Sequence, residues 1–349
     1  MKIVFVLPDM PGGGTERVVA MLANEYIKRG YQAAILLFAG EQVAYPLHEK
    51  VEIYVAGQAS GGNPLVQISR LYKMRRYFKK NKGCYIFSFS VNGSFFSVLA
   101  AAGIPHRFLV SERNDPARAS RQKLRNWSYR KAEKIILQTD DMKRCFSEDI
   151  QKKSVVIPNP ISPDMPEPFQ GKRTKQIVSV GRLHPQKNHK LLLHAFADFH
   201  AVYPEYELHI FGIGELENEL KQQTKNLGID DYVVFRGFCS DVQHEIWDKA
   251  MFVLSSDYEG ISNSMIEALA MGVPVISTDC PAGGSRMYIE DGVSGILTPV
   301  GDSKALTEAM IQIAGSPKLA QKFSANSVKI KERYSLKEIA DRFLEVAGI

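Results

Sequence analysis

Residues 251–277 read Met251-Phe-Val-Leu-Ser-Ser-Asp-Tyr-Glu-Gly-Ile-Ser-Asn-Ser-Met-Ile-Glu-Ala-Leu-Ala-Met-Gly-Val-Pro-Val-Ile-Ser277. A short apolar run gives way to a polar loop, a helical pattern, a Gly-x-Pro break and a second apolar run. Continuous apolar strands on either side of a helix belong to a parallel sheet covered on both faces. The same unit carries two glutamates, Glu259 and Glu267, eight residues apart. The first stands where the strand delivers its loop. The second lies about two helical turns on, with Ser262, Asn263 and Ser264 at the expected helix N-terminus, where hydroxyls and unpaired N–H groups favour an anion. Ser264-x-x-Glu267 also satisfies a capping box, so the residues alone leave a purely structural role open for Glu267.

Working outward, the alternation extends along the chain. Strands are expected at 2–7, 33–38, 51–55, 84–90, 107–111, 134–138 and 154–157, and again at 176–180, 206–211, 232–235, 251–254 and 274–277. Helical patterns lie near 15–29, 64–81, 119–131, 188–202, 215–226, 262–271 and 302–314. The segment 158–173 holds five prolines and no apolar period, and reads as a linker. The expected domains are 1–165 and 166–330, with residues 331–349 forming a helix that packs back on the first. The fold class is α/β: two doubly wound parallel-sheet domains with a ligand cleft outside the strands' C-terminal ends.

Composition narrows the class. At 349 residues the chain is long enough for two cores. No apolar run approaches the roughly 18 residues of a membrane span, and Lys2–Leu7 followed by Pro8 reads as a first strand rather than a signal peptide. The four cysteines show no C-x-x-C pair, and the eight histidines no metal-ligand spacing, so reduced thiols and no structural metal are expected. Residues 1–170 carry 25 Lys+Arg against 15 Asp+Glu, a net +10, and the remainder carries 19 against 23, a net −4. That asymmetry points the first half toward phosphate-bearing or membrane-surface partners.

Two further junctions bear on function. "PDMPGGGTERVV", residues 8–19, joins the first strand to a helix, and Gly12, Gly13 and Gly14 leave room for close approach to backbone. Arg17 stands where a dinucleotide fingerprint needs its third glycine, and no Gly-Lys-Ser/Thr follows for a P-loop. "GRLHPQKN", residues 181–188, places Arg182 and Lys187 after a strand, where a fork-shaped guanidinium and an ammonium can share a diphosphate. Either junction could equally be a plain turn bearing solvated charges.

Taken in order, "GRLHPQKN" and "EGISNSMIEALAMGVPVISTDCPAGG", with Gly13-Gly14-x-Glu16-Arg17 before them and Gly292-x-x-Gly295-Ile296-Leu297 after, resemble the retaining glycosyltransferases of family 4, which adopt the GT-B fold. The resemblance implies that Arg182 and Lys187 grip the diphosphate of a nucleotide-sugar, and that Ser262, Asn263 and Ser264 support it. By the same resemblance Glu267 bonds the ribose hydroxyls, Glu259 orients the donor sugar, Gly13 and Gly14 meet the distal phosphate, and Arg236 and Phe238 flank the nucleobase. Glu259, Lys187 and Arg182 would carry the catalysis, with no cofactor and no metal. Where relatives place a histidine, this chain has Arg113, which cannot act as a base. Glu16, Arg113 and Asn114 are the expected acceptor-side residues.

Basic residues Arg70, Lys73, Arg75, Arg76, Lys79 and Lys80 lie on one amphipathic helix, and "RQKLRNWSYRKAEK", residues 121–134, adds Trp127 and Tyr129. Such helices suit anionic headgroups or a lipid diphosphate, and a pair of solvated faces is the alternative reading. The resemblance, together with this charge, implies a hexosyltransferase using a UDP-sugar and a polyprenyl-diphosphate-linked or other glycan acceptor. It would work in the cytoplasm, peripheral on the inner face of the cell membrane, and without nucleic acid. A non-catalytic nucleotide-sugar or anionic-lipid binder, or an epimerase of the same fold, is the alternative.

Overall fold

The computed structural model describes residues 1–58 and 63–349. The chain divides into two compact units, Met1–Pro160 with Ser335–Ile349, and Ile161–Tyr334.

In the first unit the strands are β1 (Lys2–Leu7), β2 (Gln32–Leu37), β3 (Glu52–Val55), β4 (Cys84–Ser88), β5 (His106–Ser111), β6 (Lys134–Leu137) and β7 (Ser154–Val156). Its helices are α1 (Gly14–Lys28), α2 (Pro64–Lys80), α3 (Val91–Ala101), α4 (Gln122–Lys131) and α5 (Glu148–Gln151). The second unit holds β8 (Thr174–Val180), β9 (Glu207–Phe211), β10 (Val233–Gly237), β11 (Lys249–Leu254), β12 (Val275–Thr278) and β13 (Ile296–Thr298). Its helices are α6 (His189–His200), α7 (Glu217–Leu227), α8 (Val242–Ile246), α9 (Asn263–Ala270), α10 (Gly284–Tyr288), α11 (Ser303–Gly315), α12 (Pro317–Ser327) and α13 (Ile330–Arg333). The last helix, α14 (Leu336–Ala347), belongs to the first unit.

Both sheets are parallel and doubly wound. Their strand orders are β3-β2-β1-β4-β5-β6-β7 and β10-β9-β8-β11-β12-β13. The winding reverses between β1 and β4 in one sheet and between β8 and β11 in the other. Loops leave in opposite directions at such a point and open a crevice at the strands' C-terminal ends. The expected strand 2–7 is observed unchanged, and the boundaries of the other expected elements shift by at most three residues. The strand β13 was not among the expected strands, being a three-residue element between glycine turns with too little apolar length to stand out.

Burial explains why these runs become strands. Ile177, Leu208, Ile210, Met251, Val253 and Ile276 lie in one cluster with Leu192, Phe196 and Phe199 of α6 and Leu306, Met310 and Ile313 of α11. Each large side chain so buried contributes about 1.5–3 kcal/mol. Asn188 caps α6 by accepting from the Leu191 amide, and its φ of 44° is the left-handed conformation that asparagine tolerates better than most residues.

The proline-rich segment does not behave as one linker. Ile161 is buried and its amide donates to the Tyr334 carbonyl, so the second unit begins there. Phe169 packs on Trp247, and Arg173 donates to the carbonyls of Trp247, Lys249 and Gly272. Burial pulls the Arg173 guanidinium down to about 10. The return to the first unit falls at Ser335, because Tyr334 packs on Tyr288 within the second unit, the rings 4.4 Å apart and tilted by 47°. Beyond it α14 buries Ile339, Ala340 and Phe343, and the Tyr26 hydroxyl donates to the Ala340 carbonyl at 3.2 Å.

Candidate active site

The second unit assembles most of the expected residues at its switch point. β8 ends at Val180 and leads into Gly181–Asn188, while β11 ends at Leu254 and leads into Ser255–Ser262. The two loops are laced together. Lys187 Nζ lies 2.5 Å from Glu259 Oε2, with both side chains mostly buried. The Ser256 hydroxyl donates to the same carboxylate oxygen at 3.3 Å. Gln186 Nε2 donates to the Tyr258 carbonyl at 3.0 Å and reaches Glu259 Oε1 at 3.5 Å. Asn188 Nδ2 donates to Asp257 Oδ1 at 2.6 Å, and the Asp257 amide donates to the Gln186 carbonyl. Ammonium and carboxylate thus hold each other at a loop junction, each compensating the other's desolvation.

Arg182 differs from Lys187. It is exposed at the same strand end, and among the described residues no side chain pairs with it. A guanidinium with no protein partner at a strand end is suited to an anion from solution.

The helix between the two glutamates begins at Asn263 with Ser262 as its N-cap, the Ser262 hydroxyl accepting from the Met265 amide. Ser264 turns away from capping. Its hydroxyl donates to the Val180 carbonyl at 3.1 Å, pinning α9 to the end of β8. The capping box Ser264-x-x-Glu267 therefore does not form. Glu267 is 2% exposed and its Oε2 accepts from Gln243 Nε2 at 3.0 Å.

Close packing fixes these loops. A Cβ on Gly284 would stand 1.7 Å from the Gly260 carbonyl oxygen, and one on Gly212 would stand 1.9 Å from the Gly181 carbonyl oxygen. Behind the cations His189 is 2% exposed, and burial followed by the Lys187 charge pulls its imidazole down to about 4. At the edge of the unit Phe238 is exposed, whereas Arg236 pairs with Glu245 at 3.3 Å and lies over the Phe211 ring.

The first unit holds the remaining residues. Gly13 caps α1, Gly14 begins it, and the Tyr45 hydroxyl donates to the carbonyls of Gly12 and Gly13. Glu16 folds back, its carboxylate filling the space a Gly13 Cβ would take. Arg113 Nη1 donates to Asn159 Oδ1 at 2.8 Å, and its guanidinium lies over Phe89 and Phe343. Asn114 is exposed, its Oδ1 accepting from the Asp115 amide. Neighbouring Glu112 accepts from the Tyr129 hydroxyl at 2.9 Å, and burial raises its carboxyl against the pull of Tyr129 and Arg125.

The basic helix needs correction. Arg70 is 4% exposed, donating to Gln67 and the Gln58 carbonyl and lying over Phe38 and Phe96. It shares the buried stripe of Met74 and Tyr77, at i+4 and i+7. Arg75 donates to the Ala100 and Ala102 carbonyls at the end of α3. Lys73, Arg76, Lys79 and Lys80 remain exposed. Tyr129 is also buried, leaving Trp127 as the exposed aromatic of α4.

Sequence reasoning passed over Gln186, Asn188, Ser256 and Gln243. The Asn188 cap was legible in the spacing to Leu191. Ser256 lies three residues before its partner Glu259, a loop contact that shows no helical or strand period. Gln186 and Gln243 are neutral residues whose partners lie 73 and 24 positions away, separations that carry no periodic signal.

The glycosyl transferases group 1 model matches residues 163–330, and the glycosyltransferase family 4 model matches residues 12–165. The chain belongs to the family 4 glycosyltransferases and has the GT-B fold. It is 25% identical over 344 residues to an uncharacterized glycosyltransferase of Haemophilus influenzae, covering 97% of both chains. It is also 25% identical over 358 residues to a Campylobacter jejuni enzyme, covering 99% of this chain and 98% of that one. That enzyme's name is GalNAc-alpha-(1->4)-GalNAc-alpha-(1->3)-diNAcBac-PP-undecaprenol alpha-1,4-N-acetyl-D-galactosaminyltransferase. Among solved structures, Anabaena Alr3699/HepE in complex with UDP and glucose superposes with a TM-score of 0.88 at 19% identity, covering 100% of this chain and 99% of that one, a likeness of fold.

Proposed function

We propose that this glycosyltransferase is a retaining enzyme that moves a hexose or N-acetylhexosamine from a UDP-sugar to a polyprenyl-diphosphate-linked or other glycan acceptor. The observation that carries the reading is the junction of Arg182, the Lys187–Glu259 pair and the N-terminus of α9 at one switch point. When a nucleotide-sugar breaks its glycosidic bond, negative charge develops on the departing diphosphate. Arg182, Lys187 and the first-turn amides of α9 neutralise it there without a metal. The compact Lys187–Glu259 pair then has two ligands to serve. The ammonium turns to the phosphate, and the carboxylate accepts hydroxyls of the donor sugar. Glu259 is an orienting group in this scheme, not a nucleophile, and Glu267 takes the ribose. Crystal complexes of structural neighbours with UDP, and a lipid-linked acceptor in the name of one relative, support the donor and acceptor classes.

A second observation supports a membrane-bound acceptor. Helices α2, α3 and α4 contain no aspartate or glutamate at all. On α2 the exposed Leu65, Ile68 and Tyr72 share a stripe with Arg76 and Lys79, so an apolar half is followed by a basic half. Such a face matches an anionic bilayer surface, with apolar side chains entering the headgroup layer. No helix among the described residues is long and apolar enough to cross a membrane.

A donor panel tests the reading. The purified chain should release UDP from one UDP-sugar well above the others, and release from none would overturn the proposal. Co-sedimentation with vesicles should require anionic lipid and weaken with salt; equal partitioning onto neutral vesicles would remove the membrane face.

A further inference from the structure

Gln243 lies in α8, just after the loop that leaves β10, and is 7% exposed. Its Nε2 donates to Oε2 of Glu267, which sits one turn inside α9 and is 2% exposed. A buried carboxylate is costly unless donors hold it. A lysine or arginine in that place would neutralise it and compete for its lone pairs. An amide donor fixes the carboxylate's plane while leaving it the full charge, with which it accepts strongly from hydroxyls. We infer that Gln243 is a positioning residue that holds Glu267 for a vicinal diol, and so makes the enzyme select ribonucleotide over deoxyribonucleotide donors. This rests on the reading above that Glu267 takes the ribose. A buried acceptor set for a hydroxyl disfavours the analogue lacking it, because one hydrogen bond to the charged acceptor is then lost.

The test measures Kd by calorimetry on the full chain for UDP and 2′-deoxy-UDP. Wild type should prefer UDP by about tenfold or more, as expected for a hydrogen bond to a charged acceptor. Gln243→Leu keeps the volume and removes the donor. It should weaken UDP about tenfold and change 2′-deoxy-UDP less than about threefold, since that ligand brings only the 3′-hydroxyl to the carboxylate and gains less from its orientation. Gln243→Glu sets a second carboxyl beside Glu267, and the two cannot both ionise cheaply. At about pH 5.5 the shared proton replaces the amide donor and the preference returns; at about pH 8.5 it is lost. This variant decides the matter should Gln243→Leu fold poorly. Equal weakening of both ligands in Gln243→Leu, or no change in their ratio, overturns the inference while Glu267 keeps its role. A wild type that does not distinguish the two ligands overturns both.

Discussion

The two switch points share a topology and differ in how they are built. In the second unit the carboxylates and Lys187 arrive already partnered, Lys187 on Glu259, Asn188 on Asp257 and Gln243 on Glu267, while Arg182 stands exposed. In the first unit the corresponding loops rely on glycine backbone held by Tyr45, and on Arg113 lying over Phe89 and Phe343. The cross-linked crevice is preorganised, so its groups meet a ligand without first being ordered. In the glycine crevice the backbone is approached by the Glu16 carboxylate and the Tyr45 hydroxyl.

The largest expected effects fall on the cross-linked crevice. Glu259→Gln and Lys187→Ala should each lower sugar transfer by about 10²–10³-fold or more while the chain stays folded. Single-turnover assays beside circular dichroism check this, and near-normal turnover in either variant would remove its role.

Stability should separate the two crevices next. Gly284→Ala drives a Cβ into the Gly260 carbonyl, backbone against backbone, and should cost about 3 kcal/mol or more. Gly13→Ala meets only the flexible Glu16 carboxylate at an ordinary φ of −85°, and should cost less than about 1 kcal/mol. Similar shifts in denaturant midpoint for the two variants would erase the contrast.

A pH series sharpens it further. His189 is neutral in the folded chain down to about 4, whereas an unfolded histidine takes its proton near 6.5. The unfolded state therefore binds more protons between those values. Stability is full above pH ~6.5 and falls by about 3 kcal/mol as pH drops toward 4. His189→Leu should flatten that part of the curve, and an unchanged slope would place the cause elsewhere.

The smallest effect concerns shape rather than charge. Arg182→Lys keeps the cation but loses the fork, and should weaken UDP about tenfold. The same change at Arg76 should leave vesicle binding within about twofold, because a lipid surface reads charge and not geometry.

How much of this was legible differs between the crevices for physical reasons. Strands buried on both faces read as apolar runs, so β1, β4, β8 and β11 stood out, and the loops after β8 and β11 carried Arg182, Lys187 and Glu259 to one edge. Gln243 and Gln186 were hidden because a neutral side chain far along the chain leaves no pattern. Arg70 was misread although its spacing to Met74 and Tyr77 placed it on the buried stripe; its charge outweighed its period. Segment 158–173 holds the boundary between the units, at Pro160–Ile161, but its prolines permit packing as readily as they break helices, and Ile161, Phe169 and Arg173 anchor the remainder in the second unit.

The most direct test is a crystal structure of the chain grown with UDP. One diphosphate should lie within hydrogen-bonding distance of Arg182, Lys187 and the first-turn amides of α9, with the ribose hydroxyls on Glu267. A diphosphate bound away from α9, or a ribose that does not meet Glu267, would contradict the account.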